Sequence, residues 1–329
     1  MEKLVVIGGS GFIGTRLCQR LSDHQIPFEI LDLKPSRRFP DKSRITDIRD
    51  LAQLRAAVSG DVIIHLAAVH RDDVTNPDDY QTTNVDGTAN VCTVAAEKGI
   101  NRIVFTSSVA VYGFAPLGTD ESGAIAPFNA YGRTKYEAEG KLEAWLSANA
   151  QASLMIVRPT VVFGEGNRGN VFNLLNQIAS GRFLMIGNGR NRKSMAYVEN
   201  IAAFLHHASG IPTRRVVVNY VDGPDFDMNS LVSLVRQKLR GKYGTGMRLP
   251  YWLGLALGYV ADLVTRVTDK KLPVSSIRVK KFCSDSAFLS AKESICGFKA
   301  PISLQDGVLR TLEAEFISPD LGREIFFTE

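Results

Sequence analysis

The chain has 329 residues, 45% of them hydrophobic and 22% charged, and 39 Lys or Arg against 34 Asp or Glu leave it at +5. That length exceeds what one hydrophobic core usually serves, so two lobes are expected, and the ordinary composition excludes a disordered, fibrous or low-complexity protein. Cys18, Cys92, Cys283 and Cys296 stand far apart without metal-type spacing, and the amino terminus lacks the basic and long apolar regions of a signal peptide; reduced thiols in the cytoplasm and no metal are expected.

Residues 3–7, Lys-Leu-Val-Val-Ile, read as a short buried strand, and Gly8-Gly-Ser-Gly-Phe-Ile-Gly14 follows before a helical stretch over 15–23. Strand, glycine turn and helix make a dinucleotide site, because glycine lets the backbone approach a pyrophosphate and a helix amino terminus offers it free N–H groups. The glycines fit two registers, Gly9-x-Gly11-x-x-Gly14 and Gly8-x-x-Gly11-x-x-Gly14. The next apolar run, 28–33, carries Asp32, whose carboxylate suits the ribose hydroxyls of NAD; Lys34, Arg37 and Arg38 soften that preference and leave NADP open. Asp47-Ile48 stands where an adenine-binding pair is usual in such a fold, with a helix cap ahead of residue 50 as the alternative.

Strands at 62–66 and 103–105 enclose a helix at 85–97, and a helix over 129–146 precedes another strand at 154–158. The alternation predicts an α/β fold of Rossmann type, a doubly wound parallel sheet. Downstream of Ser107-Ser108, Tyr131 and Lys135 in Ala-Tyr-Gly-Arg-Thr-Lys stand one helical turn apart. A nearby cation favours the phenolate, so Tyr131 is expected to move protons near neutral pH. Beyond Arg158 the pattern changes, with helical stretches at 171–180 and 228–240 among short strands such as 215–219. Residues 1–165 are therefore assigned to the nucleotide-binding domain, whose sheet also receives about 215–221. Residues 166–214 and 222–329 are assigned to a smaller, mostly C-terminal α/β substrate lobe.

Taken together, these motifs resemble the extended short-chain dehydrogenase/reductase family over nearly the whole chain. Gly8-Gly-Ser-Gly-Phe-Ile-Gly14 looks like the family's nucleotide turn, His65-Leu-Ala-Ala68 like the strand end that lines the cofactor, and Asn84 like its helix-start asparagine. Thr106-Ser-Ser-Val-Ala-Val-Tyr-Gly113 is similar to the family's serine segment, and Arg158-Pro-Thr-Val-Val-Phe-Gly164 to the strand and loop beside the nicotinamide. The resemblance implies catalysis by Ser108, Tyr131 and Lys135, with Ser107 as the neighbouring alternative to Ser108 and as a substrate contact. It implies NAD held by Gly8, Gly11, Phe12, Ile13, Gly14, Asp32, Asp47, Ile48, Leu66, Ala67, Ala68, Asn84, Thr106 and Pro159, together with Tyr131 and Lys135.

Within the family the chain looks most like bacterial sugar 4-epimerases that act on N-acetylglucosamine carried by undecaprenyl diphosphate. The segments that carry this are the serine segment, His70-Arg-Asp-Asp-Val74, Asn167-Arg-Gly-Asn-Val-Phe-Asn-Leu-Leu175, Lys193-Ser-Met-Ala-Tyr-Val198 and Pro273-Val-Ser-Ser-Ile-Arg-Val-Lys-Lys-Phe-Cys283. Simpler UDP-hexose 4-epimerases have an arginine-aspartate pair where this chain has Lys193-Ser194. A UDP-sugar epimerase or a 4-ketoreductase shares the same catalytic trio and stays open, as does a noncatalytic dinucleotide-binding protein. The implied partner is a lipid-diphosphate-linked or nucleotide-linked sugar, with Arg168, Lys193 and Arg278 as diphosphate clamp, Asn170 as neutral donor, and Arg190 and Arg192 as lesser candidates. A homodimer is common among similar enzymes.

His65 ends an apolar strand and reads as a core histidine, while His70 opens a loop that follows the cofactor-lining strand. The basic residues come without a nucleic-acid motif, which argues against nucleic acid and for another anion. Residues 251–267 are the most apolar stretch and as a helix would run ~25 Å. Asp262 and Arg266 argue against a span, whereas Trp252, Leu253, Leu257, Val260, Val264 and Val267 recur at helical spacing. A membrane-surface helix, peripheral on the inner face of the cytoplasmic membrane with Lys270-Lys271 beside it, competes with a core or dimer helix.

Overall fold

The computed structural model describes residues 2–70, 76–268, 275–320 and 322–328. Parts of three segments considered above, 71–74, 270–271 and 273–274, lie outside them. Apolar runs pair as parallel strands because helices cover both faces of the resulting sheet. Six of them are β1 (Leu4–Ile7), β2 (Phe28–Asp32), β3 (Ser43–Ile45), β4 (Val62–His65), β5 (Arg102–Thr106) and β6 (Ser153–Pro159). The sheet runs β3-β2-β1-β4-β5-β6, reversing direction at β1 and β4, and a seventh strand lies beyond β6. The crevice at such a reversal is where an open α/β sheet binds its ligand.

Helices α1 (Phe12–Asp23), α2 (Leu51–Ala57), α3 (Gly87–Glu97) and α4 (Ala130–Ala148) complete the first half. Asp50 caps α2, accepting the N–H groups of Ala52 and Gln53 at 2.9 and 3.0 Å. On one face of the sheet Leu54, Val91, Leu142 and Trp145 pack under α2, α3 and α4. Beyond β6 the order is β7 (Val161–Phe163), α5 (Asn170–Ala179), β8 (Met185–Ile186), β9 (Arg192–Tyr197), α6 (Val198–Ser209), β10 (Arg215–Tyr220), β11 (Asp222–Asp227), α7 (Met228–Arg240) and β12 (Arg248–Leu249). The chain then continues through α8 (Tyr251–Thr268), α9 (Ser276–Cys283), α10 (Lys292–Cys296) and α11 (Leu304–Leu312).

The seventh strand is β10, parallel to β6 with Val218 opposite Val157. Helix α6 brings Ile201, Phe204 and Leu205 onto Leu17 and Leu21 of α1, so it covers the other face of the main sheet although it falls within the 166–214 stretch. A smaller sheet, β11-β9-β7, anchors the second core with Phe163, Leu175, Val232 and Val308.

On α8 the small residues Gly254, Gly258 and Ala261 turn inward. A Cβ on Gly254 would lie 2.6 Å from Ile186, and one on Gly258 would lie 2.8 Å from the Ser276 Cα at the start of α9. Trp252, Leu257, Val260, Leu263 and Val264 are exposed. Leu253 differs from the expectation: it is half-buried, because the seam follows the small residues rather than the large ones. The Val267 side chain lies outside the description. Among the described residues no helix is long and apolar enough to cross a membrane.

Candidate functional site

The glycine turn between β1 and α1 is built for close approach. Gly8 has φ +83°, and a Cβ there would lie 2.6 Å from the Ala67 nitrogen, so the turn is pressed against Leu66-Ala67-Ala68 at the end of β4. A Cβ on Gly11 would meet only the Gly8 carbonyl oxygen, at 3.4 Å, and no side chain caps α1. That open ledge beside a helix amino terminus fits a pyrophosphate. Asp32 accepts the N–H groups of Ser10 at 3.0 Å and Lys34 at 3.1 Å, which fixes the carboxylate beside the same turn. Burial raises its pKa against these donors, so added hydroxyl donors from a ribose would be favourable. Arg37 faces Glu324 at 3.6 Å.

The remaining expected cofactor residues are placed as follows. Phe12 and Ile48 are core side chains, Phe12 against Phe326 and Ile48 under α2 and α3. Asp47 is gripped by the Arg49 guanidinium, with contacts of 2.7–3.0 Å that hold its pKa down. Asn84 is tied into the chain itself. It is buried in a π-helical turn ahead of α3, accepts the Val69 N–H at 2.8 Å, and donates to the Val69 carbonyl at 2.9 Å and the Thr134 hydroxyl at 3.0 Å. With both amide hydrogens spent, Asn84 braces the strand end against α4. Thr106 donates to the His65 carbonyl at 3.1 Å. Ile13 is half-buried at the start of α1, and Pro159 closes β6 opposite Tyr220.

At the carboxyl end of β5, Ser108 accepts the Ala110 N–H at 3.1 Å and starts a short 3-10 turn. Asn129 caps α4 through the Gly132 N–H at 2.9 Å. Gly132 lies where a Cβ would overlap the Ala110 carbonyl, so helix and turn meet and the Ser108 hydroxyl lies close enough to the Tyr131 phenol to lower its pKa. Ser107 is buried beneath, its N–H donating to the Val157 carbonyl at 2.6 Å and its hydroxyl without a partner among the described residues. An orphaned hydroxyl next to Ser108 and Tyr131 fits a polar ligand group at this end of the sheet.

The expected phenolate does not follow from the chain alone. Burial pushes Tyr131 up to about 12, opposed by the nearby Ser108 hydroxyl and aided by neighbouring Tyr80, and Lys135 is not among the groups that move it. Lys135 is itself buried, its ammonium 4.1 Å from the Phe105 ring centroid, and desolvation lowers it to about 7 against the pull of Glu139. For both groups desolvation is the largest influence. His65 is likewise held neutral, pushed down to about 3 by burial and Lys135, with Nε2 3.1 Å from Thr88 Oγ1.

Glu139 went unnoticed in the sequence, although it lies one turn beyond Lys135 on the same helix face. It takes two hydrogen bonds from Arg158, at 2.9 and 2.6 Å, and Arg158 donates to the Tyr112 hydroxyl at 2.7 Å. Tyr112 in turn donates to Asn219 on β10 at 2.8 Å. This chain of bonds fastens α4 to β6 and β10.

Of the three clamp cations, Lys193 reaches the helix that carries Arg278, and Arg168 pairs with a carboxylate. Arg168 forms an ion pair with buried Glu315 at 2.9 Å and stacks on Phe172. Lys193 is half-buried, lowered in pKa chiefly by desolvation, and donates to the Lys281 carbonyl on α9 at 2.8 Å. Arg278 is exposed on α9, and Asn170 opens α5. Arg190 and Arg192 lie in the turn into β9 and at its start.

The NAD dependent epimerase/dehydratase family model matches residues 4–217. Over 320 residues, 96% of each chain, the sequence is 46% identical to the N-acetyl-alpha-D-glucosaminyl-diphospho-ditrans,octacis-undecaprenol 4-epimerase of Escherichia coli O157:H7. It is 25% identical over 340 residues, 95% of each chain, to the UDP-glucose 4-epimerase of Vibrio cholerae. Among solved structures, the UDP-N-acetylglucosamine 4-epimerase from Methanobrevibacter ruminantium M1 in complex with UDP-N-acetylmuramic acid shares the fold. The TM-score is 0.74 at 20% identity, covering 95% of this chain and 97% of that one.

Proposed function

Because the chain belongs to the NAD dependent epimerase/dehydratase family, we propose that it inverts C4 of N-acetylglucosamine carried on undecaprenyl diphosphate, giving the N-acetylgalactosamine form for bacterial surface polysaccharide. The observation that carries the choice of carrier is the 46% identity to a lipid-diphosphate sugar epimerase, which spans 96% of both chains and so includes the substrate lobe.

When bound, NAD supplies the acceptor and returning donor for the C4 hydride, and a positive ring charge that the chain alone does not provide. Tyr131 takes the O4 proton as O4 becomes a carbonyl oxygen and gives it back when C4 is restored. Ser108 donates a hydrogen bond to that oxygen, and Lys135 in its protonated form favours the phenolate. Glycine turn and Asp32 hold the dinucleotide. Lys193 and Arg278 hold the diphosphate while the sugar turns over, so the product differs from the substrate only at C4.

A lipid carrier also suits α8, whose outward residues Trp252, Leu257, Val260 and Leu263 would rest on the bilayer surface with the basic α9 beside anionic headgroups. The second reading is a UDP-sugar 4-epimerase, favoured by the resemblance over 95% of the Vibrio cholerae enzyme. Purified protein given lipid-linked N-acetylglucosamine or UDP-N-acetylglucosamine separately should convert the lipid-linked sugar at least ~tenfold more efficiently, a ratio that corresponds to about 1.4 kcal/mol. Conversion of the UDP-sugar alone would remove the lipid reading.

A further inference from the structure

Gly113, at φ +65°, lies where a Cβ would overlap the Ala126 carbonyl, and the Ala126 N–H donates to the Val111 carbonyl at 3.0 Å. The loop between them therefore doubles back on itself. It brings Phe114, just past the turn that hangs from Ser108, against Phe128, three residues before Tyr131. Their rings stack at 4.6 Å and 28°, yet stand 70% and 49% exposed. A stacked apolar pair left in water between two catalytic segments has no packing reason to be there, since neither ring joins a core cluster.

Beside it the Lys281 ammonium lies 5.2 Å from the Phe128 ring centroid, and the Lys281 carbonyl holds the Lys193 ammonium. Carbon and cation thus meet next to the segment that leads into Tyr131. Farther out, Ile277 on α9 is exposed, and α9 is seated on α8. Apolar surface therefore recurs from the Phe114–Phe128 pair through α9 to the outward face of α8.

We propose that Phe114 and Phe128, with Lys281, form a ramp that receives the first isoprene units of the carrier immediately beyond the diphosphate. The assignment rests on the lipid-diphosphate reading and adds to it the residues that tell a lipid carrier from a nucleotide. Charge complementarity chooses the occupant: Lys281 and Lys193 suit a diphosphate, and the two phenyl faces suit saturated and alkenyl carbon. A nucleoside could stack on a phenyl face but would find no side-chain hydrogen-bonding group on either ring, so the pair offers it no specific recognition.

Two synthetic N-acetylglucosamine diphosphates, one carrying citronellyl with two isoprene-type units and one carrying methyl, test this. Wild-type protein should favour citronellyl, and Phe114→Ser with Phe128→Ser should lower the citronellyl-to-methyl ratio of kcat/KM by ~tenfold, a size typical of lost apolar contact. Phe114→Leu with Phe128→Leu should restore most of the ratio. Thermal unfolding verifies that each variant is folded, and the single Phe114→Ser, at the more exposed ring, serves if the double variant is not. A folded serine variant with the wild-type ratio would overturn the ramp alone. Wild-type protein that converts UDP-N-acetylglucosamine but neither synthetic diphosphate would overturn the lipid reading and the ramp with it.

Discussion

Around α4, Lys135, Glu139 and Arg158 are withdrawn from water to 2%, 3% and 6% exposure, whereas on α8 the apolar side chains of Trp252 and Leu263 stand 69% and 62% exposed. One region buries charge and the other exposes carbon, and each arrangement costs stability unless something offsets it. Beneath α4 the offset is internal: Arg158 binds Glu139 through two hydrogen bonds, and Glu139 steadies Lys135. On α8 nothing among the described residues covers the outward face. The buried charges are thus compensated within the chain, whereas the outward face of α8 has no such compensation among the described residues.

If the buried region carries the reaction, removing its proton relay should have the largest effect. Tyr131→Phe is expected to lower kcat by at least ~1000-fold, within the range seen for loss of a general acid-base group, with little change in the unfolding midpoint. Steady-state rates on the lipid-linked sugar check it; a loss under tenfold would move the proton transfer elsewhere.

A smaller effect, read as stability, separates the brace from the reacting groups. Arg158→Met strands the buried Glu139 carboxylate and should destabilise the protein by about 3–5 kcal/mol in chemical denaturation. The outward face of α8 offers the contrast, since surface substitutions usually stay within about 0.5 kcal/mol.

The third effect is a slope. Lys135 has its folded pKa lowered to about 7 from an ordinary 10.5, so between those values the unfolded chain binds more protons than the folded one. Stability from this group therefore rises with pH across that window, by at most ~1.4 kcal/mol per pH unit, and is flat below it. The difference between wild type and Lys135→Met in ligand-free protein should grow in favour of wild type from pH 7 to 9. A pH-independent difference would mean that Lys135 stays charged when buried.

Much of the buried region was legible in the sequence. The glycine turn, Asp32, the serine pair and the Tyr131-Lys135 spacing are short-range patterns that their own backbone geometry demands, and strands alternating with helices announced the parallel sheet. What escaped depends on partners distant in sequence. The sequence did not show that Arg168 pairs with Glu315, that the Asn84 amide is bonded to Val69 and Thr134, or that burial raises the Tyr131 pKa. Leu253 followed helical spacing on α8, but the small residues Gly254 and Gly258 chose the buried seam. Phe114 and Phe128 carried no motif; only the doubled-back loop shows them together.

Inversion without net oxidation is tested most directly by giving the purified protein lipid-linked N-acetylglucosamine with deuterium at C4. Mass spectrometry and NMR should find the product inverted at C4, unchanged in mass and still carrying its deuterium there. Deuterium lost to solvent, or a 4-keto sugar accumulating as the product, would contradict it.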